Sequence, residues 1–348
     1  MSPYIYIMLL FSLGLGTTLT FMSSHWLLAW KGLEINTLAI IPLMRQHHHP
    51  RATEATTKYF LTQATRASSL LFASMTNAWL TGHGEIQQMA HPIPAALVTL
   101  ALALKIGLAP LHTWMPEVLQ GLNLTTGLIL ATWQKLAPFA LLTQLSTLNQ
   151  TILTALALTS ALVGGWGGLK QTQLRKILPY SSIAHLGWMI LVLQYNPTLT
   201  LLALTIYIMM TSSVFLTFKF NKAMNNNSLS ISWTKAPALT TMAPDMLLSL
   251  GGLPPLTGFM PKWLILQEMT KQEIPLTATL MALAALISLY FYLRVSYSIT
   301  LTTSPNNQPG INPWRLPQLP LPISLPILTM MTLLLLPLTP MTTTLLNL

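Results

Sequence analysis

Apolar residues fill this chain in runs of about twenty, each closed by a short polar or proline-bearing link. An α-helix crossing a bilayer core needs about 20 such residues. Eleven runs fit, near residues 3–22, 25–44, 53–79, 95–119, 125–144, 150–169, 175–194, 199–220, 238–266, 275–299 and 322–343. The links Ser23-Ser24, Gly121-Leu122-Asn123 and Asn196-Pro197 are helix-to-helix turns rather than domain boundaries. Only Thr302 to Pro320 is long and polar, and its proline and asparagine content suits a surface connection. Segments of alternating hydrophobicity, the mark of a membrane β-barrel, are missing from the sequence. The pattern predicts an all-α polytopic membrane protein of about eleven transmembrane helices in a single membrane domain, residues 1–348.

Two runs are interrupted. From Ala101 to Gln120 the chain reads ALALKIGLAPLHTWMPEVLQ, with Lys105 among leucines and alanines and then Gly107, Pro110 and Pro116. Each proline removes a backbone donor and crowds the carbonyl four residues earlier, here Ile106 and His112. A membrane helix tolerates such a break only where the released groups face protein or water. The stretch has an echo: GLAPLHTWMPEVL from Gly107 and GLPPLTGFMPKWL from Gly252 are identical at seven of thirteen positions. Broken segments at corresponding places in two halves point to a transport site. The interrupted runs are the fourth and ninth, five helices apart, so the halves are expected to cross the membrane in opposite senses. The expectation is an antiporter-like inverted repeat: residues 1–145 as the first five-helix repeat, 146–300 as the second, and 301–348 as a surface loop and final helix.

Composition supports a membrane chain. It is 52% hydrophobic and 7% charged, with mean hydropathy +0.56, against about 25% charged residues in a soluble domain. The net charge of +10 does not imply a nucleic-acid partner, because the basic residues lie mostly in loops between apolar helices. Loops on the N-terminal side hold Arg45, Arg51, Lys58, Lys170, Arg175, Lys176, Lys219, Lys222, Lys235 and Arg315, while loops on the other side hold Lys271 alone. That asymmetry places the N-terminus on the side from which insertion occurs. No Arg-rich, Ser-rich transit segment precedes the first run, as expected if the first helix itself directs insertion. The absence of cysteine excludes cysteine-ligated iron–sulfur clusters and disulfides within the chain.

Of the charges inside the runs, Lys31, Glu34, Arg66, Lys105, Lys135, Lys262 and Arg294 carry the candidate chemistry. A charge at the bilayer centre costs at least ~2.5–3.5 kcal/mol, so each needs a partner, water or a function. Arg294 lies near the end of its run and can snorkel. Lys105 and Lys135 lie near mid-run on adjacent helices, too deep for that. Lys262 follows the second break and can face a cavity. Glu34 is the one carboxylate deep within the first three runs, Glu54 standing at the very start of the third. A carboxylate beside a cation keeps its charge and one alone in hydrocarbon takes up a proton, the dependence a proton relay needs. His112 in the first break and His185 in SSIAHLGW are intramembrane imidazoles suited to relaying protons. His47, His48 and His49 read as a solvated loop, since three adjacent histidines cannot all face one metal ion without strain. Trp26, Trp30, Trp114 and Trp188 fall mostly near run ends, as an interfacial belt does.

Five stretches, in order, carry a family resemblance: WKGLEINTLAIIPL, KYFLTQATRASSLL, LKIGLAPLHTWMPEV, LRKILPYSSIAHLGW and GGLPPLTGFMPKW. Together they resemble the chain 2 family of mitochondrial NADH:ubiquinone oxidoreductase, respiratory complex I, across essentially the whole chain. The eleven-run length looks like the animal form, which lacks three N-terminal helices of bacterial relatives. The resemblance implies a core membrane-arm subunit of the proton-pumping NADH:ubiquinone reductase, related to cation/proton antiporters. It implies that Glu34, Lys105, Lys135 and Lys262 form a proton axis, with His112 and His185 as lesser members. It further implies a mitochondrial inner-membrane location with the basic loops and N-terminus on the matrix side. NADH, flavin, iron–sulfur clusters and ubiquinone are then expected in partner subunits, with no cofactor or metal in this chain. The expected partners are the other membrane-arm and accessory subunits and the lipid bilayer.

Lys31 and Arg66 depart from the family pattern, standing where relatives usually carry uncharged residues. Lys31 precedes Glu34 by three residues and shares its helix face; Arg66 lies at similar depth. Either can pair with Glu34 in place of Lys105. A free-standing cation/proton antiporter and a non-pumping scaffold remain the alternative readings of the same residues.

Overall fold

Proline sets where many of the helices start. With φ held near −65° and no N–H to satisfy, it suits the first helical turn. Pro3, Pro50, Pro92, Pro197, Pro237 and Pro275 each stand there. Side chains cap three starts among the described residues: the Leu27 N–H donates to His25 Nδ1 and the Arg51 N–H to His49 Nδ1, both at 3.2 Å, and the Leu199 N–H to Asn196 Oδ1 at 3.3 Å. His49 is exposed, as a solvated loop residue should be.

The computed structural model describes residues 2–45, 49–89, 91–145, 149–232, 236–302 and 322–345, and these contain helices and no strand. His47, His48 and residues 303–320 of the expected surface connection lie outside the described residues. In chain order the helices are α1 (Pro3–Met22), α2 (Trp26–Met44), α3 (Pro50–Thr81), α4 (Pro92–Ile106), α5 (Trp114–Gly121), α6 (Leu124–Ala131), α7 (Trp133–Gln144) and α8 (Gln150–Gly168). They continue as α9 (Leu174–Leu193), α10 (Pro197–Phe220), α11 (Asn226–Ile231), α12 (Pro237–Gly251), α13 (Phe259–Lys271), α14 (Pro275–Leu301), α15 (Ser324–Leu334) and α16 (Thr339–Leu345), with a 3₁₀ turn at Leu336–Leu338. Among the described residues α1, α2, α8, α9, α10 and α14 are each long and apolar enough to cross a membrane. α3 is longer, at 32 residues, but more polar.

The runs expected to break do so at the glycine–proline sequences, between α4 and α5 and between α12 and α13. Two further interruptions were not anticipated. The last run bends by 67° across the 3₁₀ turn. The fifth run divides at Thr132 (φ −114°, ψ −69°) into α6 and α7. Pro138, which cannot donate to the Gln134 carbonyl and crowds it, lies six residues further on, inside α7, and the helix runs through it. The Thr132 N–H and hydroxyl both donate to the Leu128 carbonyl, at 2.9 and 2.7 Å, closing the last turn of α6.

The chain divides into two compact units, Met1–Ser160 and Ala161–Leu348. In the first, α1 lies along α2, α2 packs on α3, α3 on α4 and α5, and α4 on α7. Gly32 permits the α1–α2 crossing: a Cβ there would stand 2.6 Å from Thr20 Cγ2 and 2.9 Å from the Gly16 carbonyl. Trp26, Leu33, Tyr59, Leu70, Val98 and Leu102 form its buried core. In the second unit α10 packs on α9, α12, α13 and α15, and α12 and α13 pack on α14. From Ile177 to Leu193 every residue of α9 except Tyr180 is buried.

Candidate functional site

Each break has the same local build. α4 and α12 are both 15 residues long and both end on a left-handed glycine, Gly107 at φ 88° and Gly252 at φ 78°. Without a Cβ, glycine reaches this region at no steric cost. The following N–H reaches back to the carbonyl five residues earlier, Leu108 to Ala103 at 3.0 Å and Leu253 to Leu248 at 3.4 Å, the pattern of a Schellman end. Released carbonyls then find donors from beyond the break. Trp114 Nε1 donates to the Leu104 carbonyl at 3.1 Å, and Lys262 Nζ to the Gly251 carbonyl at 2.6 Å. A cation at the carbonyl end of a helix also complements the helix dipole. His112 lies within the first break, half-buried.

The first unit gathers its charges where α2, α3 and α4 meet. Glu34 on α2 has a side chain 26% exposed, and the Thr37 hydroxyl donates to its Oε2 at 3.2 Å. The buried face of α3 presents Tyr59, Gln63 and Arg66 at helical spacing. Arg66 is fully buried, and its Nη2 stands 3.9 Å from Glu34 Oε1. None of its guanidinium nitrogens makes a hydrogen bond to a described residue. Lys105, in the last turn of α4, donates from Nζ to the Leu33 carbonyl at 3.2 Å, one residue short of Glu34. Among the described residues the Glu34 carboxylate is within 4.0 Å of Arg66 and of no lysine. Lys31, on the same helix, is exposed and is not within 4.0 Å of the Glu34 carboxylate. Of the three cations open to Glu34 in the sequence, Arg66 is the one that pairs with it.

Lys135 is buried in the first turn of α7, where the break at Thr132 places it. Lys105 and Lys135 line one cavity, walled also by Tyr59, Gln63, Trp114 and Gln134. About 10 Å³ of it admits the centre of a water-sized sphere, close to the requirement for one water. Gln134 is tied to α2 by a hydrogen bond from its Nε2 to the Asn36 carbonyl at 3.2 Å. Lys58, at one end of α3, bridges Glu54 at 2.8 Å and Glu117 of α5 at 2.9 Å, fastening the far side of the first break to α3.

In the second unit, His185 is buried on α9 with its ring 5.8 Å from that of Tyr207. Lys262 is buried at the break as described. Arg294 donates to the Leu169 carbonyl from a side chain that is exposed, in keeping with a snorkelling residue. A survey of charges and histidines passes over Gln63 and Gln134. Their signal was present, since an amide inside an apolar run is costly unless it is hydrogen-bonded.

Helices broken at glycine–proline sites beside buried lysines are the build of an ion-translocating membrane subunit. Residues 23–288 match the family described as NADH:quinone oxidoreductase/Mrp antiporter, TM, and residues 289–343 match NADH dehydrogenase subunit 2 C-terminus. The chain is 68% identical over 347 residues to the NADH-ubiquinone oxidoreductase chain 2 of Tetraodon nigroviridis and 66% identical over 349 residues to that of Salmo salar, with 100% of each chain covered. The chain belongs to the NADH-ubiquinone oxidoreductase chain 2 family. Among solved structures it resembles a chain of respiratory complex I from Thermus thermophilus, with TM-score 0.86 and 27% identity, covering 98% of this chain and 80% of that one. A chain of the Mrp complex from Dietzia shares the fold, with TM-score 0.74 and 16% identity over 84% of this chain and 60% of that one.

Proposed function

We propose that this chain is a membrane-arm subunit of the proton-pumping NADH:ubiquinone oxidoreductase and carries protons along a row of buried side chains. The observation that carries the reading is the pair of buried lysines, Lys105 and Lys135, lining one cavity beside a broken helix. The family membership sets the assembly: the chain works within respiratory complex I, in the mitochondrial inner membrane, among other membrane-arm subunits. Redox chemistry, with its NADH, flavin, iron–sulfur clusters and ubiquinone, belongs to partner subunits.

The proposed axis runs from Glu34 through Lys105 and Lys135 to Lys262, with His112 and His185 as secondary members. Glu34 is the switch. Facing Arg66, as here, it leaves Lys105 on the Leu33 carbonyl; turned by a rotamer change toward Lys105, it forms a carboxylate–ammonium pair. The free energy of the protonated amine differs between these two arrangements. A small movement imposed by partner subunits therefore becomes a change in where a proton rests. The second break holds Lys262 for the corresponding step in the other half. The reading keeps the inverted five-helix arrangement, residues 1–145 and 146–300 with 301–348 added. α4/α5, α6/α7, α12/α13 and α15/α16 each then cross once, giving eleven spans with the N-terminus toward the matrix.

Lys105→Met keeps side-chain length and removes the titratable group. The assembled enzyme is expected to form and to lose coupled proton transfer, and with it much of its turnover. A normal proton-to-electron ratio in that assembled enzyme refutes the axis and leaves an inert scaffold.

A further inference from the structure

α12 carries a carboxylate that none of the sites above uses. Asp245 is exposed, and among the described residues its side chain accepts no hydrogen bond and has no cation within 4.0 Å. The hydroxyls one turn to either side are committed elsewhere, Thr241 to the Ala238 carbonyl at 2.8 Å and Ser249 to the Met246 carbonyl at 2.7 Å. Asp245 stands near the middle of α12, which runs Pro237–Gly251. At 1.5 Å per residue both helix ends are roughly 9–12 Å away. Lysine and arginine reach polar surroundings along long stems, but an aspartate has a single methylene and cannot. The outward stripe of α12 is Ala238, Thr241, Met242 and Asp245, at the spacing of one helix face. The exposed stripe of α14, by contrast, includes Leu276, Leu280, Leu283 and Leu286. Small and polar residues suit a helix–helix contact inside a membrane.

We infer that this stripe is the docking face for a transmembrane helix of a partner subunit, whose lysine or arginine pairs with Asp245. The inference rests on α12 and α13 together crossing the membrane once, as proposed above. A charge inside the bilayer is costly, so such residues pair with one another or face a water-filled cavity. Charge sets the chemistry of the partner: a carboxylate with no cation beside it in its own chain is matched by a cation from outside. The small side chains of Ala238 and Thr241 let a partner backbone come close. That approach brings an ammonium or guanidinium within reach of a side chain as short as aspartate. Lys235 and Arg315, outside the described residues, are the competing cations of this chain.

The test uses the intact complex carrying this chain. Asp245→Leu and Asp245→Glu are compared with the wild type for the amount of fully assembled complex on native gels. Because the side chain is exposed, leucine there leaves the core of this chain untouched. Asp245→Leu strands the partner's cation, and the assembled fraction is expected to fall on the order of tenfold or more, while Asp245→Glu keeps most of it. A carboxylate that faces lipid gives the opposite sign: leucine removes an unfavourable charge, assembly holds level or improves, and the inference is overturned. A cryogenic map of the wild-type complex decides independently of how the variants fold. The expected result is a lysine or arginine of a neighbouring subunit at salt-bridge distance from Asp245, within the bilayer. Asp245 against lipid, or against Lys235 or Arg315 of this chain, overturns the docking face and leaves the crossing intact. Asp245 outside the bilayer overturns the crossing as well.

Discussion

Replacing Glu34 by glutamine preserves side-chain volume but removes the one carboxylate within 4.0 Å of Arg66 among the described residues. At 3.9 Å the Coulomb attraction is about 4 kcal/mol for an effective dielectric of 20. Arg66 has no exposure to water and none of its guanidinium nitrogens hydrogen-bonds to a described residue, so little else offsets its charge. Removing one member of a buried pair typically costs about 3–5 kcal/mol, because the other charge stays behind uncompensated. Arg66→Met is the asymmetric partner. It leaves a carboxylate that is 26% exposed and already accepts from Thr37, with an expected cost of about 1 kcal/mol. The double variant Glu34→Gln/Arg66→Met removes both members of the pair and should be about as stable as Arg66→Met alone. The assay is the temperature at which the chain leaves the purified assembly, followed on native gels for the two single variants and the double. The expected order is Glu34→Gln lowest, with the double variant recovering most of the loss. Equal effects of the two single substitutions, or a double variant worse than Glu34→Gln, would refute the pairing. In either case the proposed Glu34 switch would lose its resting partner.

Other predictions concern the breaks and the topology. Lys262→Met removes the 2.6 Å hydrogen bond to the Gly251 carbonyl, worth about 1.5–3 kcal/mol for a charged donor; faster amide exchange across residues 252–258 is the expected sign, and unchanged exchange counts against the cap. Alanine at either left-handed glycine should cost about 1–2 kcal/mol from backbone strain alone. Gly252→Ala should be the worse of the two: its Cβ would meet Lys262 Cδ and Nζ at 2.9 Å, whereas that of Gly107 would meet nothing nearer than Met115 Sδ at 3.2 Å. The reverse ranking in thermal inactivation would contradict the packing described. Protease added to the outer face of mitoplasts should spare the connection at residues 302–320, and cleavage there would invert the proposed orientation.

The two glycine–proline breaks were legible in the sequence because their causes are local. A missing N–H at Pro110 or Pro255 and a left-handed φ at Gly107 or Gly252 are properties of a few consecutive residues. Helix starts at Pro50 or Pro197 follow for the same reason. The fold class and the burial of Lys105, Lys135 and Lys262 followed from hydropathy, which fixes what must avoid lipid. The break at Thr132 was not legible: the nearest helix-breaking residue, Pro138, lies six residues on and inside α7. The partner of Glu34 was open in the sequence among Lys31, Arg66 and Lys105, all of suitable charge and depth. The meeting of α2 with α3 settled it, turning Arg66 inward and leaving Lys31 exposed. Gln63 and Gln134 come together only when α3 and α7 bring them to one cavity with two lysines. Backbone conformation and transfer energy are written residue by residue along a chain, while a pairing or a shared cavity is a property of several helices at once.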